Sequence, residues 1–443
     1  MKSTRPADPA QADNERYVPH HGDPGWDALH YDLEIDYKPE SNRLSGRAVI
    51  AAVARERIST VTLDLYRLRV RKLTVDGRSP KRFAHKNSRL VVTLDRPLAT
   101  GSHFRITVTW SGGPQPMPGL DGEAGWEELD DGAIVASQPH GAPSWFPCND
   151  RPSNKASYAM GVSVPAGYQV VANGLPGATK RKAGSVLFTF DQPEPMATYL
   201  ATVHVGRFVL TEDARAGVPV RIVSSPDLAA KCRTALADVP DMIAFFEARF
   251  GPYPFSGGYT NVVTDDDLEI PLEAQSLSIF GANFMTRAWE KQRLVAHELA
   301  HQWFGNAVTL ALWRDIWLHE GFACYSEWLW SPEAGQAGTR ERADHHHRKL
   351  KALPQDLLLS DPGPDLMFDD RVYKRGALAL HALHRTVGDD DFFAVLRTWV
   401  ARHGGGNATT ADFLAVATEV TGIDADTFFD PWLNETALPA LPG

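Results

Sequence analysis

The apolar residues of this 443-residue chain recur with a period of two in its first half and of three to four in its second. No single type of domain satisfies both patterns. From Leu29 onward, Tyr31, Leu33, Ile35 and Tyr37 alternate with His30, Asp32, Glu34 and Asp36, the signature of a half-buried strand. RAVIAAVA, TVTLDL, LRVRKLTVDG, RLVVTL and FRITVTW follow, with turn signals at Asp76-Gly77, Thr100-Gly101 and Ser111-Gly112-Gly113. Past a Pro/Gly-rich stretch near 112–125 the alternation resumes in YAMGVSVP, YQVVANG, VLFTF and TYLATVHV. Strands this short and this regularly spaced predict a large antiparallel all-β unit over 23–207. Residues 1–22, polar and rich in Pro, Asp and Ala, read as a flexible tail.

Beyond about residue 225 the period changes. Leu228, Cys232, Leu236, Val239, Ile243, Phe246 and Phe250 form one apolar stripe, closed by Gly251 and Pro252. Further helices are expected at 287–304, 320–330, 333–352, 372–387, 389–402 and 409–420. The fold class is α+β in two domains, the second of them mainly helical and spanning 208–443. No repeat at solenoid spacing is present in the sequence.

Composition narrows the function classes. Apolar residues make up 43 %, enough to build cores and to exclude wholesale disorder. With 45 Lys and Arg against 55 Asp and Glu the net charge is -10, the wrong sign for a nucleic-acid binder. No run reaches the roughly 18 apolar residues of a membrane span. Three cysteines, Cys148, Cys232 and Cys324, leave one over after any pairing and favour a reducing compartment. The N-terminal residues lack the apolar core of a signal peptide, so a cytoplasmic location is expected.

The chemistry concentrates at residues 297–301, which read HELAH. On a helix, positions i and i+4 share a face, so His297 and His301 aim both imidazoles at one ion. Glu298, one residue along, stands beside the metal without binding it, where it takes a proton from water. Thr286 is the expected N-cap and Gly305 the expected stop. With 16 histidines in the chain, chance supplies about 0.03 such motifs. Glu320, with eighteen residues intervening after His301, offers a third, carboxylate ligand and leaves a fourth position open, as in a catalytic zinc site.

Val-x-HELAHQWFGN followed by WLHEGFA resembles the zinc aminopeptidases of the aminopeptidase N and leukotriene hydrolase type. WFPCNDRPSNKASY (145–158) and FGPYPF (250–255) are also landmarks of that family, and the likeness runs from about residue 25 to near the end. His319 departs from the family, which usually has Asn there. The resemblance implies a saddle-like β domain, a thermolysin-like catalytic domain of mixed α/β type, and one Zn2+ per chain. It also implies peptide substrates with a free N-terminus.

Residue by residue, the resemblance carries over three further positions. The family's Gly-x-Met-Glu-Asn strand matches Ile270-Pro271-Leu272-Glu273-Ala274, retaining Glu273 as the candidate anchor for a substrate α-amine. Gly, Met and Asn are lost, and Pro271 lacks an N–H. Gln138, nine residues before Pro147, falls where the family has a second amine acceptor. Tyr373, in Tyr-Lys-Arg-Gly, matches the family's oxyanion stabiliser. Apart from the resemblance, Glu327, seven residues beyond Glu320, reads either as a hydrogen-bond partner for a ligand histidine or as an exposed helix carboxylate. Bland readings fit the remainder: His345–His347 as solvated surface, Cys324 as core, and Trp313, Trp317, Trp328 and Trp330 as packing around the metal helix.

Three readings compete: an aminopeptidase, a thermolysin-like endopeptidase or epoxide-opening relative, and an inactive β-rich binding module. Retention of every catalytic residue type favours the first. No obligate protein partner is inferred. Larger family members continue into a helical C-terminal domain; a chain stopping at Gly443 is expected to be a short form with a more open cleft.

Overall fold

The structure, a computed structural model, describes residues 9–213, 215 and 217–442. The chain divides into two compact units, Met1–Phe208 and Val209–Gly443.

In the first unit the period-two segments pair into an eight-stranded sheet. Along its main path run Leu175–Pro176, Ser185–Ala197, Lys155–Pro165, Trp26–Lys38, Arg43–Ala54, His103–Gly112 and Arg69–Val75. The alternation read from the sequence sorts the faces: Tyr31, Leu33, Ile35 and Tyr37 are all buried, whereas Glu34, Asp36 and Lys38 are exposed. One pair departs from the antiparallel expectation. Trp26–Lys38 and Lys155–Pro165 run parallel, with Tyr31 opposite Tyr158 and their rings stacked at 4.9 Å. Parallel strands need a long crossover, and the intervening chain supplies one that contains a three-stranded sheet and three strands of a five-stranded one.

The segment Trp145–Asp150 is wholly buried within this unit. Asn149 donates from its side chain to the Trp26 carbonyl at 2.8 Å, and its backbone N–H donates to the Tyr31 hydroxyl at 3.0 Å. Asp64 accepts from the backbone N–H groups of Gly22 and Asp150, both at 2.9 Å. That landmark therefore staples the β unit together.

The tail reading fails for the residues that are described. Helix α1 spans Pro9–Tyr17, and Tyr17 and Val18 are buried. The His21 ring meets Asp150 at 2.8 Å, a partner too distant in sequence for a local pattern to reveal. Residues 1–8 lie outside the described residues.

The second unit is built on a five-stranded sheet ordered Val209–Asp213, Val220–Ser224, Tyr259–Val263, Leu277–Phe280, Leu272–Ala274. Its inner pairs are parallel and its outer pairs antiparallel. Nine helices accompany it among the described residues: α2 Ala229–Ala235, α3 Val239–Phe250, α4 Trp289–Ala300, α5 Trp317–Trp330, α6 Thr339–Lys351, α7 Asp370–Val387, α8 Asp389–His403, α9 Thr410–Thr421 and α10 Ala425–Leu433.

Several boundaries differ from the sequence reading. The stripe over 228–250 is two helices, because Pro240 has no N–H to continue the ladder and its ring clashes with the carbonyl four residues back. Helix α4 begins after Ala288 in place of Thr286, and its regular part ends at Ala300. Residues 331–335 form turns and 336–338 irregular chain ahead of α6, with Gly335 in the left-handed region at φ 69°. Helix α10, with Pro431 inside it, was not anticipated.

Two contacts fix the helices that matter to the site. Helices α5 and α7 cross at Gly321 and Gly376, where a Cβ on either glycine would lie 2.8 Å from the other's Cα. Arg375, also on α7, donates to the carbonyls of Trp432 and Thr436 at 2.8 Å, Pro431 at 3.1 Å and Ala437 at 3.2 Å, and to that of Glu435. The chain after α10 is thereby clasped to α7.

Candidate active site

Helix α4 carries His297 and Glu298, with His301 at its C-terminal end, and all three are buried. Helix α5 is buried over its whole length and brings Glu320 against them. One ligand atom from each of His297, His301 and Glu320 lies within 4.8 Å of the others. Glu320 Oε2 is 3.4 Å from His297 Nε2 and 3.5 Å from His301 Nε2. Those separations are long for hydrogen bonds. They approach the roughly 3.3 Å between two ligand atoms on a tetrahedral zinc with bonds of about 2.0–2.1 Å.

The opposite edges of both rings are engaged elsewhere. His297 Nδ1 donates to Glu327 Oε1 at 2.8 Å, as the spacing from Glu320 suggested, and His301 Nδ1 donates to the Phe304 carbonyl at 3.0 Å. With their Nδ1 protons committed, the nitrogens on the Glu320 side are the Nε2 atoms, whose lone pairs a metal would take once those positions are deprotonated. Gly305 makes room for this, since a Cβ there would lie 3.2 Å from His301 Nδ1. Two imidazoles and one carboxylate suit zinc.

The electrostatics point the same way. Burial opposes protonation of His297 and His301, yet the surrounding carboxylates outweigh it, raising the first to about 8 and the second to about 10. Glu320 is held far below the usual carboxylate range: burial opposes this, and the His301 charge overcomes it. Glu298 and Glu273 are raised, mainly by burial. The carboxylates thus favour positive charge on this pair of imidazoles, whether protons or a metal ion would carry it.

Glu273 sits on the edge strand Leu272–Ala274, opposite Ser278. Its carboxylate, with Glu298 and His301, forms a second group whose ligand-type atoms lie within 4.8 Å of one another. What brings it there is Gln302, which the sequence reading passed over. Gln302 Nε2 donates to the Ala274 carbonyl at 3.2 Å, and its Oε1 accepts from Ser276 N–H at 2.8 Å. Ser276, at the hairpin turn, adopts φ 67°, unusual for a residue with a side chain. Asn306 Nδ2 adds a bond to the same Ala274 carbonyl at 3.0 Å. Both residues stand in the HELAHQWFGN block, so the block itself was the available signal. Trp303, also within it, donates its indole N–H to the Gly251 carbonyl at 3.0 Å, which ties in the FGPYPF landmark.

Tyr373, on the first turn of α7, stacks on His297 with ring centroids 6.0 Å apart. Burial and the charges of Glu320, Glu273 and Glu298 raise its phenol well above the ordinary value. It therefore stays a donor at neutral pH. His319 accepts at Nε2 from the Leu310 N–H at 2.9 Å, so the imidazole works there as a backbone acceptor. Gln138 belongs to the first unit, in the loop after the strand Gly132–Ala136 and just before Pro139.

The bland readings divide. Cys324 is buried, its thiol pushed up to about 12 by burial, with Lys374 Nζ 3.4 Å away. The four tryptophans at 313, 317, 328 and 330 are buried as expected. Of the three consecutive histidines only His345 is exposed: His346 stacks on Trp328 at 5.1 Å, and His347 Nε2 donates to the Pro439 carbonyl at 2.7 Å.

Comparison with known proteins bears on this arrangement. The model of the peptidase family M1 domain matches residues 236–432, and that of the peptidase M1 N-terminal domain matches 27–200. The chain is 32 % identical to an M1 zinc metallopeptidase from Deinococcus radiodurans, with a TM-score of 0.89 and coverage of 97 % of this chain and 99 % of that one. A second structure from that organism, holding a Tyr-Ser-Ala substrate, matches equally well at 32 % identity and a TM-score of 0.89, with the same coverage of both chains. A leucyl aminopeptidase of Saccharolobus solfataricus is 26 % identical over 93 % of this chain and 54 % of its own length. Aminopeptidase 2 of Candida albicans is 25 % identical over 93 % and 47 %. The chain spans about half the length of the curated relatives it matches. Two family models that together cover most of the sequence, and a solved structure matched over nearly its whole length, place this chain in peptidase family M1.

Proposed function

We propose that this chain is a zinc-dependent aminopeptidase that removes the first residue from peptides with a free amino terminus. The observation that carries the reading is Glu273, a buried carboxylate grouped with Glu298 and His301 yet outside the His297–His301–Glu320 set. An ammonium is the ligand that a carboxylate so placed would select. The aminopeptidase names of the curated relatives, and the peptide held by the Deinococcus enzyme, support the same reading.

In this reading His297, His301 and Glu320 hold one zinc ion per chain. Zinc, when bound, supplies a Lewis acid that acidifies water and polarises the scissile carbonyl. Glu298 takes the proton of the attacking water and returns it to the leaving amine. Tyr373 donates its O–H to the carbonyl oxygen as negative charge grows there. Glu273 accepts the α-ammonium, so only the first peptide bond comes within reach of Glu298. Gln138 is the candidate second acceptor of that ammonium, on its register from Pro147. Glu327 orients His297 through the hydrogen bond to Nδ1.

Among the described residues no helix is long and apolar enough to cross a membrane. A cytoplasmic location rests on three buried free thiols, a pattern of reducing compartments. Peptides are the partners proposed, with neither nucleic acid nor an obligate protein partner.

The test compares a peptide with its N-acetylated form. Acetylation should abolish cleavage, and Glu273→Gln should lower kcat/KM on the free peptide about 10- to 100-fold, the worth of one charged hydrogen bond. An acetylated peptide cut as fast as the free one would replace this reading with an endopeptidase.

A further inference from the structure

Arg293 lies on α4 one turn before His297 and two turns before His301, so the three project from one face of the helix. Its Nη1 donates to Glu327 Oε2 at 3.0 Å, while Glu327 Oε1 accepts from His297 Nδ1 at 2.8 Å. The two oxygens of Glu327 are thus divided between a guanidinium and a candidate ligand imidazole. The Glu327 side chain is 3 % exposed and that of Arg293 35 %. The arginine is therefore the outer end of a short polar chain running inward to the histidine.

A carboxylate bound through one oxygen can still rotate about its terminal torsion, which is broad for Glu. A planar guanidinium on the second oxygen removes that freedom and keeps the first aimed at His297. The Lys374 charge also acts on Glu327, but its Nζ bonds Asp370 at 3.3 Å and Cys324 at 3.4 Å, so it does not fix the carboxylate's orientation. Helices α4 and α5 are also joined at this point, since Arg293 and His297 come from one and Glu327 from the other.

We propose that Arg293 is a positioning residue for the metal centre: by pinning Glu327 it fixes the His297 imidazole and slows the release of zinc. The inference rests on the reading of His297, His301 and Glu320 as zinc ligands. It adds a residue four positions ahead of the HELAH motif and outside the motifs quoted for the family resemblance.

The experiment follows the transfer of zinc from the loaded protein to a chromophoric chelator. It compares wild type, Arg293→Met, Arg293→Lys, Glu327→Gln and the double variant Arg293→Met/Glu327→Gln. Arg293→Met should release zinc about tenfold faster, at the lower end of what hydrogen-bond partners of ligands contribute. Arg293→Lys should recover part of the loss. On the Glu327→Gln background Arg293→Met should add less than about twofold, because the arginine acts through that carboxylate. The thermal midpoint of the metal-free protein should not move. Release from Arg293→Met at the wild-type rate, independent effects of the two substitutions, or a metal-free midpoint lowered enough to account for the loss would each overturn the proposal. A wild-type protein that takes up no zinc would instead remove the ligand reading beneath it.

Discussion

The crossing of α5 and α7 allows a prediction whose size comes from the coordinates. Gly321 follows Glu320 directly, and Gly376 follows Tyr373 by three residues, so this crossing sets the spacing of a candidate ligand from the candidate oxyanion donor. A Cβ built at Gly376 meets the Gly321 Cα at 2.8 Å, about 0.6 Å inside the 3.4 Å at which ordinary contact begins. At Gly321 the obstacles are Gly376 Cα at 2.8 Å and its carbonyl carbon at 3.0 Å. Both obstacles are backbone, so no side chain can rotate away and the helices must separate. Overpacking of this kind costs about 1–3 kcal/mol. For the second unit alone, Val209–Gly443, that lowers the thermal midpoint by roughly 2–6 °C. A displacement near 1 Å at a catalytic group costs about a hundredfold in rate, so about 0.6 Å should cost on the order of tenfold. The assay is kcat on an aminoacyl fluorogenic substrate, with thermal midpoints, for Gly321→Ala and Gly376→Ala. Gly338→Ala, whose Cβ would meet nothing within 4 Å, is the control and should stay within about 1 kcal/mol of wild type. Wild-type kcat and midpoint in either crossing variant would refute the reasoning.

Removing the phenol with Tyr373→Phe should lower kcat by about 10²–10³ and change KM little, since the donor is needed where charge develops; equal losses in binding and turnover would contradict that role. Arg375→Met should destabilise the second unit by about 2–4 kcal/mol and open Pro431–Ala437 to limited proteolysis, because the carbonyls of Trp432, Thr436 and Pro431 lose a charged donor. Burial lowers His204 to about 3, and it lowers His140 to about 4 with the nearby His21 charge adding to the effect. Below pH 6.5 the unfolded chain therefore binds protons that the folded one refuses, and stability falls as pH drops from about 6.5 toward 4. Denaturant unfolding across that range should show His204→Gln with a slope shallower by about 1.4 kcal/mol per pH unit, the worth of one proton; an unchanged slope would mean that His204 takes up its proton while folded.

Local pattern was enough for the strands, since alternation such as Tyr31-Leu33-Ile35-Tyr37 encodes which face is buried. It was also enough to put His297 and His301 on one face, because i, i+4 spacing is geometry that a helix carries within itself; Glu320, on a different helix, was legible only as a carboxylate at a ligand-like distance along the chain. The split at 236–238 was legible too, in Pro240, but the apolar stripe masked it. What local pattern could not show are contacts between distant segments. His21 on Asp150 turned an expected tail into packed structure, and Gln302 holds the hairpin that presents Glu273. The parallel pairing of Tyr31 with Tyr158 belongs to the same class, because strand direction depends on the crossover between them.

The central claim is that His297, His301 and Glu320 hold the zinc on which Glu298 acts as base. Metal-free wild type and Glu298→Gln should be titrated with zinc while bound metal and peptide hydrolysis are followed together. The account predicts that both proteins take up one equivalent, and that activity returns in proportion in the wild type alone, the variant staying about 10²–10⁴-fold lower. Activity in the metal-free wild type, or a Glu298→Gln protein working at the wild-type rate, would contradict it.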